Sequence, residues 1–265
     1  MPSTYAHYRF GREVAQSLSP QNKSIVQTYP ELYAIGLHGP DLFFYYQPLI
    51  SNALGKFGGE LHSKSGRSFF EEMSLPLVRT GYANRAATSY LYGFLCHFAL
   101  DSTCHGLINQ KSSEMGISHA EIESEFDRLL MTCDGLPPVS HPLTEHIHPT
   151  LANASVISRF FTGVSAHQIQ KCLRRMVGYH KLLLAPQPVK RKSLEWGMRI
   201  IGRYDDLSGM MISLSPNPLC EEICVELESL YQKAVPVAVR LIEGFKDGNL
   251  SDQAYDLNFE SVIPR

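Results

Sequence analysis

The sequence contains no apolar run long enough to cross a membrane, which takes about 20 residues. Residues 1–10 also lack the basic start and the apolar stretch that mark a secretory signal peptide. These two absences argue against an integral membrane protein and against a secreted one. We therefore expect a protein that has no transmembrane segment and resides in the cytoplasm.

Cysteine pairs with the spacing of a zinc ribbon are also missing, although the chain has six cysteines. Cys220 and Cys224 stand one helical turn apart, a spacing that suits neither a structural zinc site nor an easily formed disulfide. Reduced thiols are the simplest interpretation, and they fit a cytoplasmic location.

The chain also has no large excess of positive or negative charge. The formal net charge is −2, and no long run of acidic or basic residues is present. This pattern argues against nucleic acid or an anionic membrane as a partner held by electrostatic attraction. With 44% hydrophobic and 19% charged residues, the chain has the composition of an ordered globular protein.

No segment has the alternating pattern of a β-strand, whereas apolar residues at helical spacing recur throughout. We predict an all-α fold in which residues 1–265 form a single multi-helix bundle domain. Loops are expected at 36–41 and 134–149. The predicted helices before residue 118 are Thr4–Leu18, Pro48–Phe70 with an interruption at Gly58-Gly59, and Asn84–Asn109 with Asn84 as its cap. The later ones are a helix starting at Ser118 with a capping box to Glu121, Ser165–Ala185 with Ser165 as its cap, Lys192–Tyr204, and Cys220–Phe245, kinked or divided at Pro236.

The segment Tyr90–His105 has the composition of a buried helix, yet it carries His97, Asp101 and His105 at successive intervals of four. Each such step along an α-helix turns the side chain by about 40° and advances it by about 6 Å, so the three form one slowly drifting stripe. Unpaired polar groups in an apolar setting cost several kcal/mol. A divalent metal ion is the partner that best suits two imidazoles and a carboxylate.

A second pair, His119 and Glu123, lies at the beginning of the helix that starts at Ser118. An imidazole and a carboxylate four residues apart share a face, as they do when one helix offers two ligands to a metal. Each cluster alone has an ordinary explanation: a solvated helix start for His119 and Glu123, and hydrogen-bonded core groups for His97 and Asp101. Two clusters on consecutive helices favour a metal site.

Three more residues join these clusters by their position in the chain. His7 lies on the first predicted helix, His62 on the helix before the stripe, and Asp41 closes a Gly-Pro-Asp turn. Taken singly, the two histidines would be partly buried helix residues, and Asp41 would be a helix cap. Five further histidines are expected to be structural or to lie beside the metal ligands: His38, His141, His146, His148 and His180.

The order of these residues resembles that of the zinc-dependent phospholipase C family, all-helical bacterial enzymes related to the fungal zinc nucleases. The resemblance rests on an N-terminal histidine, Gly-Pro-Asp, a further histidine, His-x3-Asp-x3-His and His-x3-Glu. It covers roughly residues 5–130, and the remaining half carries no matching motif. No single piece is diagnostic, but the ordered combination is fairly specific.

The resemblance implies a cluster of two or three zinc ions. The residues that match the ligands of the first zinc are His97, Asp101 and His62. The residues that match the ligands of the second zinc are His105, His119 and Glu123.

A third zinc is implied by His7, with Asp101 bridging back to the first ion. In secreted family members the processed N-terminal residue also binds zinc through its amino group. Here removal of Met1 would expose the amine of Pro2 instead. Asp41 matches the carboxylate near the bridged pair, which is a ligand or the base for the attacking water.

The function implied by the resemblance is that of a metal-dependent phosphoester hydrolase, phospholipase C-like, in which zinc ions activate water. The substrate would be a small-molecule or lipid phosphoester, with phospholipid head groups as the class that the family implies. Residues 1–130 would carry the metal site, and the helices of 131–265 would complete the bundle and wall the cleft.

Three alternatives stay open. A nuclease or small-molecule phosphodiesterase would use the same site, although the composition gives no sign of a basic groove. A non-catalytic, metal-stabilised helical binding protein would have closed metal sites. A membrane-surface protein would need a strongly basic amphipathic helix, which we do not find in the sequence.

Overall fold

The computed structural model describes residues 4–80, 84–245 and 249–264. All regular structure in these ranges is helical and none is β-strand, so the predicted all-α fold is confirmed. The α-helices are α1 (Thr4–Ser17), α2 (Pro20–Thr28), α3 (Pro30–Gly36), α4 (Ala53–Ser63), α5 (Gly66–Thr80), α6 (Arg85–Met115), α7 (His119–Cys133), α8 (Leu151–Ile157), α9 (Ala166–Leu183), α10 (Pro188–Ile200), α11 (Tyr204–Leu207) and α12 (Glu221–Gly244). The 3₁₀ helices are Gly39–Tyr45, Ser158–Phe160, Ser208–Met210, Pro218–Cys220 and Gln253–Asp256. Within the described ranges, no helix combines the length and apolarity that crossing a membrane requires.

Helix α6 is the longest described helix, with 31 residues. It begins after Asn84, whose side chain accepts a hydrogen bond from the Ala87 amide. It ends at Gly116, whose positive φ of 67° closes a helix without the steric cost of a Cβ. The helix therefore continues past Asn109, its predicted end, to Met115.

Helices α3 and α12 make the most extensive contacts with α6. Where α3 crosses α6, a Cβ on Gly93 would lie 2.1 Å from the Tyr33 carbonyl oxygen. A Cβ on Gly36 would lie 2.2 Å from the Tyr90 carbonyl oxygen. Glycine at both positions permits this close backbone approach. The crossing holds the chain that follows α3 against the middle of α6, where His97 lies.

The chain after α1 is more helical than predicted. Helices α2 and α3 follow α1, and Pro20 and Pro30 occupy their first turns. Proline fits there because the first amides of a helix have no intrahelical partner. Of the predicted loop at 36–41, only residues 37 and 38 lie outside a helix, because the Gly39–Tyr45 segment forms a 3₁₀ helix.

The predicted helix Pro48–Phe70 is two helices that separate at an unexpected place. Helix α4 begins after the Asn52 cap and continues through Gly58 and Gly59, and the break falls at residues 64–65. The predicted interruption at the glycines is therefore wrong. Gly58 packs closely on the preceding 3₁₀ helix, where a Cβ would lie 3.1 Å from Phe43 Cβ, whereas a Cβ on Gly59 would meet no atom within 4 Å.

Most of the remaining helix caps and loops predicted from the sequence agree with the structure. Ser118 and Ser165 cap α7 and α9 as predicted, and the loop at 134–149 is confirmed. Helix α8 was not indicated by the pattern, and α10 begins at Pro188 rather than four residues later. Helix α12 continues through Pro236 as one helix. The Ser118 hydroxyl accepts a hydrogen bond from the Glu121 amide, as the predicted capping box requires. The Glu121 carboxylate, the other half of that box, accepts a hydrogen bond from the Asn217 side chain.

One large apolar core joins α1 through α9 with α12. A smaller cluster of Ala185, Met198 and Met211 lies under α10. Helices α1, α4, α6 and α7, which carry most of the predicted ligands, contribute to the large core, whereas α10 rests on its own small cluster. The single-domain organisation stays a prediction.

Candidate metal centre

Helix α6 carries the predicted stripe through the core. His97, Asp101 and His105 are buried, with only 0%, 3% and 6% of their surface exposed. The Asp101 carboxylate lies between the two imidazoles. One oxygen is 2.9 Å from His97 Nε2, and the other is 3.5 Å from His105 Nε2.

Helix α1 brings His7 to the same carboxylate. His7 Nε2 lies 3.2 Å from Asp101 Oδ1. At the start of α1, the amides of Tyr5 and Ala6 donate hydrogen bonds to the Asp127 carboxylate of α7, at 3.0 and 2.8 Å. An anion is favourable at a helix N-terminus, so Asp127 anchors α1 where its histidine reaches the stripe.

The first 3₁₀ helix and α4 add a second carboxylate–imidazole pair. Asp41 Oδ1 lies 3.0 Å from His62 Nε2, and His62 Nδ1 donates to the Gly58 carbonyl at 2.7 Å. On α6, His97 Nδ1 donates to the Leu37 carbonyl at 3.2 Å. Since a carbonyl only accepts, each ring carries its proton on Nδ1 and turns the Nε2 atom towards the carboxylates.

The start of α7 completes a third group. Glu123 Oε1 lies 3.3 Å from His119 Nε2 and 3.5 Å from His105 Nε2. His119 Nδ1 contacts the Asn109 Oδ1 at 3.0 Å, so the amide oxygen orients this ring too. Glu123 is buried, whereas 32% of the His119 side chain is exposed. This group therefore opens towards solvent.

Three sets of ligand atoms result, and within each set all atoms lie within 4.8 Å of one another. The sets are His7–His97–Asp101, Asp41–His62–His97 and His105–His119–Glu123. The structure thus brings together all eight residues that the sequence predicts as ligands. The grouping differs in one respect, because Asp41 rather than Asp101 joins His62 and His97.

The geometry of His97 and Asp101 fits a bound cation. His97 Nε2 lies 2.9 Å from the carboxylate but has no hydrogen-bond partner in the described part of the chain. Because Nδ1 carries the proton, a ring lone pair and an anionic oxygen share the same space, which is unfavourable unless a cation lies between them. Imidazole nitrogen and carboxylate oxygen are the ligands of catalytic zinc sites. The residues present therefore fit zinc.

The carboxylates of these sets are ionised. Burial acts to raise the pKa of Asp101, but neighbouring imidazoles, first that of His105, hold it well below its usual range. The pKa values of Asp41 and Glu123 are lowered too, again against the effect of burial. Burial opposes the rise in the pKa of His105, yet Asp101 and Glu123 raise it to about 9. Anions in a protein interior need compensating positive charge, which protonated histidines or metal ions supply.

An open cleft of about 280 Å³ leads to the candidate ligands. Its lining includes Asp41, His62, His105 and His119, so two of the three ligand sets face it. The volume is close to the lower end for small-molecule sites. A structural zinc site has no open position, whereas a catalytic one does. The cleft therefore favours a site that admits reactants.

Glu260 of the C-terminal segment also lines this cleft, and no sequence pattern indicates it. Its carboxylate accepts a hydrogen bond from Asn109 Nδ2 at 3.0 Å and lies 3.8 Å from His105 Nδ1. The next residue, Ser261, donates its hydroxyl to the Asp101 carbonyl at 3.2 Å. The chain end thus braces α6 at the metal centre. A residue so far along the chain has no fixed spacing to the stripe that could have revealed it.

Of the five further histidines, His38 and His180 are buried, whereas His148 is exposed. His38 and His146 are joined by a hydrogen bond of 2.7 Å between their Nε2 atoms. His180 is buried and hydrogen-bonded to a tyrosine hydroxyl. Neither these three nor His141 and His148 belong to a ligand set found in the described ranges.

A family model described as "Zinc dependent phospholipase C" matches residues 6–174. The match covers more than half of the chain and includes all eight candidate ligands. It ends within α9, so α10 to α12 and Glu260 lie beyond it. Neither a curated protein nor a solved structure gives a significant match.

Proposed function

Since this chain belongs to the zinc-dependent phospholipase C family, we propose that it hydrolyses a phosphodiester in a lipid or a small molecule. One observation carries the proposal: eight candidate ligands converge from α1, α4, α6, α7 and the first 3₁₀ helix, and an open cleft reaches four of them. Family membership supports the reaction class, and the open cleft supports catalysis at this centre.

We propose that the three ligand sets hold two or three zinc ions. When bound, the ions supply Lewis acidity, which lowers the pKa of water and neutralises charge on the phosphate. His62 and His97 are held for this task by the carbonyls of Gly58 and Leu37, which fix the tautomer and the ring orientation. Asp101 lies between three imidazoles, so it would bridge neighbouring sites.

Asp41 is the residue that we propose to orient the attacking water and accept its proton. The carboxylate lines the cleft, and its pKa is held below the usual range despite burial, so it is ionised at neutral pH. A carboxylate with a low pKa is a weak base, and orientation of the water is then its larger contribution. His62 Nε2 lies 3.0 Å from this carboxylate in the same ligand set, so the two groups would share a metal ion.

Metal analysis and a substrate screen, run together, test the proposed function. The purified protein is expected to contain zinc and to hydrolyse phosphatidylcholine or the chromogenic diester p-nitrophenyl phosphocholine. A chelator should abolish this activity, and added zinc should restore it. Nucleic acid included in the screen tests the nuclease alternative.

The variant Asp101→Asn is expected to lose bound zinc and to lower kcat/KM by more than about a hundredfold, because an amide is a poor substitute for the carboxylate ligand. Asp256→Asn is the matched control, since Asp256 is a surface carboxylate paired with Arg67. Zinc binding without turnover of any phosphodiester would favour the non-catalytic alternative. Unchanged zinc content and activity in Asp101→Asn would refute the assigned role.

A further inference from the structure

The outer side of α10 carries large apolar side chains. Val189, Trp196 and Ile200 are 78%, 67% and 62% exposed. They follow one another at intervals of seven and four residues, so they form one stripe along the helix. The opposite side holds Met198, which is buried in the small cluster under α10. Helix α10 therefore exposes an apolar stripe, which we call the crest, where a surface helix ordinarily presents polar side chains.

Further exposed apolar side chains lie next to the crest. A cavity of about 930 Å³ opens between α4, α9, α10 and the segment that follows the first 3₁₀ helix. From α10 and its C-cap its lining includes Gly197 and Ile201, the chain neighbours of two crest residues. The exposed large apolar side chains of the lining are Leu49, Ile50, Leu182 and Ile201. We call these four and the crest the apolar face, and so large a group of exposed apolar side chains marks an interaction surface.

Basic side chains flank the crest. Lys192 and Arg199 stand four residues before and three residues after Trp196, a spacing that makes both its neighbours on the helix surface. Both are exposed. Helix α10 has four basic residues and one acidic residue, although the whole chain has a net charge of −2. The overall composition therefore conceals a local excess of positive charge beside the apolar face.

The other two basic residues of α10 fix the helix to the protein. Lys190 Nζ donates a hydrogen bond to the Leu184 carbonyl at 2.7 Å, and an Arg191 guanidinium nitrogen donates to the Ile212 carbonyl at 2.5 Å. These contacts hold α10 from the side that faces the protein. The crest, Lys192 and Arg199 are left to face solvent together.

We propose that the apolar face docks on the surface of a bilayer that contains anionic lipids. Tryptophan and aliphatic side chains beside lysine and arginine are typical of helices that lie in the plane of a membrane interface. In this pose the crest enters the boundary between head groups and acyl chains, and the two basic side chains contact anionic head groups. The sequence pattern did not indicate such a helix, because the apolar stripe of an amphipathic helix ordinarily faces the core.

Charge and shape favour a bilayer over two other occupants. A symmetric dimer would bring Lys192 and Arg199 of both copies to the same interface, where like charges repel. An acidic polypeptide would need grooves that receive its own apolar side chains. The crest protrudes instead of lining the cavity, and a fluid bilayer can surround a protruding side chain from every direction.

The inference goes beyond the proposed function. Helix α10 lies outside the family match, which ends at residue 174, and carries none of the eight candidate metal ligands. Docking on a bilayer therefore does not depend on which phosphodiester the metal centre hydrolyses.

Vesicles without phosphodiesters test docking apart from substrate binding. Digalactosyldiacylglycerol forms neutral bilayers, and an equimolar mixture with sulfoquinovosyldiacylglycerol forms anionic ones. Flotation measures the bound fraction, and Trp196, the single tryptophan of the chain, reports insertion by a blue shift of its emission. We expect saturable binding and a blue shift with the anionic vesicles. Binding should be weaker with the neutral vesicles and in high salt, which screens the attraction.

Val189→Asp tests the crest and leaves Trp196 in place as the reporter. An aspartate suits the first turn of α10, so the variant should fold. Its affinity for the anionic vesicles should fall at least about tenfold, because an apolar contact is lost and the carboxylate is repelled. Val225→Asp is the matched control, since Val225 is an exposed valine of α12. Circular dichroism would verify that both variants fold.

Lys192→Gln tests the charge. One basic side chain near an anionic membrane surface contributes enough to change the affinity about fivefold. We therefore expect about fivefold weaker binding to the anionic vesicles and unchanged binding to the neutral ones. Lys233→Gln is the control, because Lys233 is an exposed lysine of α12.

The outcomes are distinct. No binding to the anionic vesicles, or equal binding of Val189→Asp and Val225→Asp, would overturn the proposal. A dimer that Val189→Asp dissociates, or binding of poly-L-glutamate, each without vesicle binding, would assign the apolar face to a second copy or to an acidic polypeptide. Hydrolysis of p-nitrophenyl phosphocholine, a soluble diester, should be the same in all these variants. Its absence throughout would count against the proposed function and leave the docking result intact.

Discussion

His7 of α1 and Asp101 of α6 meet through a contact of 3.2 Å between Nε2 and Oδ1. The His7 ring also stacks on His97, with 4.4 Å between centroids. Burial, reinforced by His97, lowers the pKa of His7, so this ring is neutral at pH 7 and has a lone pair for a metal. Because the contact ties the start of the chain to its longest helix, occupancy of the site and packing of α1 are coupled.

Metal removal is therefore expected to destabilise the protein. A ligand that binds only the folded state adds about 4 kcal/mol to the free energy of unfolding when its free concentration is about 1,000 times Kd. Thermal unfolding with zinc, compared with unfolding in excess chelator, measures the effect. Asp101→Asn should show a much smaller zinc-dependent shift in Tm. Identical Tm values with zinc and with chelator would show that the folded chain binds no zinc.

Glu260→Gln is expected to weaken zinc binding by up to about 10-fold, because the charge of this carboxylate, 3.8 Å from His105 Nδ1, raises the pKa of that ring. Competition with a chromophoric chelator measures the affinity. Glu226→Gln is the control, since Glu226 is a surface carboxylate that pairs with Lys111 of α6. Equal zinc affinities for the two variants would show that the Glu260 carboxylate does not contribute to zinc binding.

Stability of the metal-free protein is expected to fall as the pH falls from about 6.5 to 4. Burial lowers the pKa of His180 to about 4, and burial together with neighbouring histidines lowers that of His146 to about 3, from an ordinary value of 6.5. In this window the unfolded chain binds more protons than the folded one. The free energy of unfolding then decreases by up to about 1.4 kcal/mol per pH unit for each group.

Urea unfolding at several pH values in that window measures the slope. His180→Gln should make the slope shallower, whereas His167→Gln removes an exposed histidine and serves as the control. An unaltered slope in His180→Gln would mean that this buried ring does not contribute to the acid sensitivity.

Gly93→Ala is expected to destabilise the protein by about 2 kcal/mol or more, because its Cβ would lie 2.1 Å from the Tyr33 backbone oxygen and neither backbone can move freely. Gly178→Ala is the control. A Cβ there meets no atom within 4 Å, so the better helix propensity of alanine should stabilise the protein by about 0.5–1 kcal/mol. Denaturant unfolding compares the two, and a stabilised Gly93→Ala would contradict the close crossing of α3 and α6.

Features within one helix could be predicted from the sequence alone. The stripe of His97, Asp101 and His105 and the caps Asn84 and Ser165 all occur as predicted. These features depend on the helix repeat of 3.6 residues and on the orphan amides of the first turn, which are the same in any fold. The end of α6 was predicted too early, because the helix continues to its glycine C-cap at Gly116. The break after α4 was misplaced, because packing of Gly58 on the preceding 3₁₀ helix outweighs the low helix propensity of glycine.

The sequence by itself determined the helical class, the chemistry of the candidate ligands and the positions of those that share a helix. Only the tertiary structure decided that Asp41 joins His62 and His97, that Glu260 lies near His105, and that α9 and α10 line one apolar cavity. The physical reason is that spacing along one helix follows from local backbone geometry. Contacts between helices depend instead on which apolar faces pack together, and on close approaches between residues far apart in the chain.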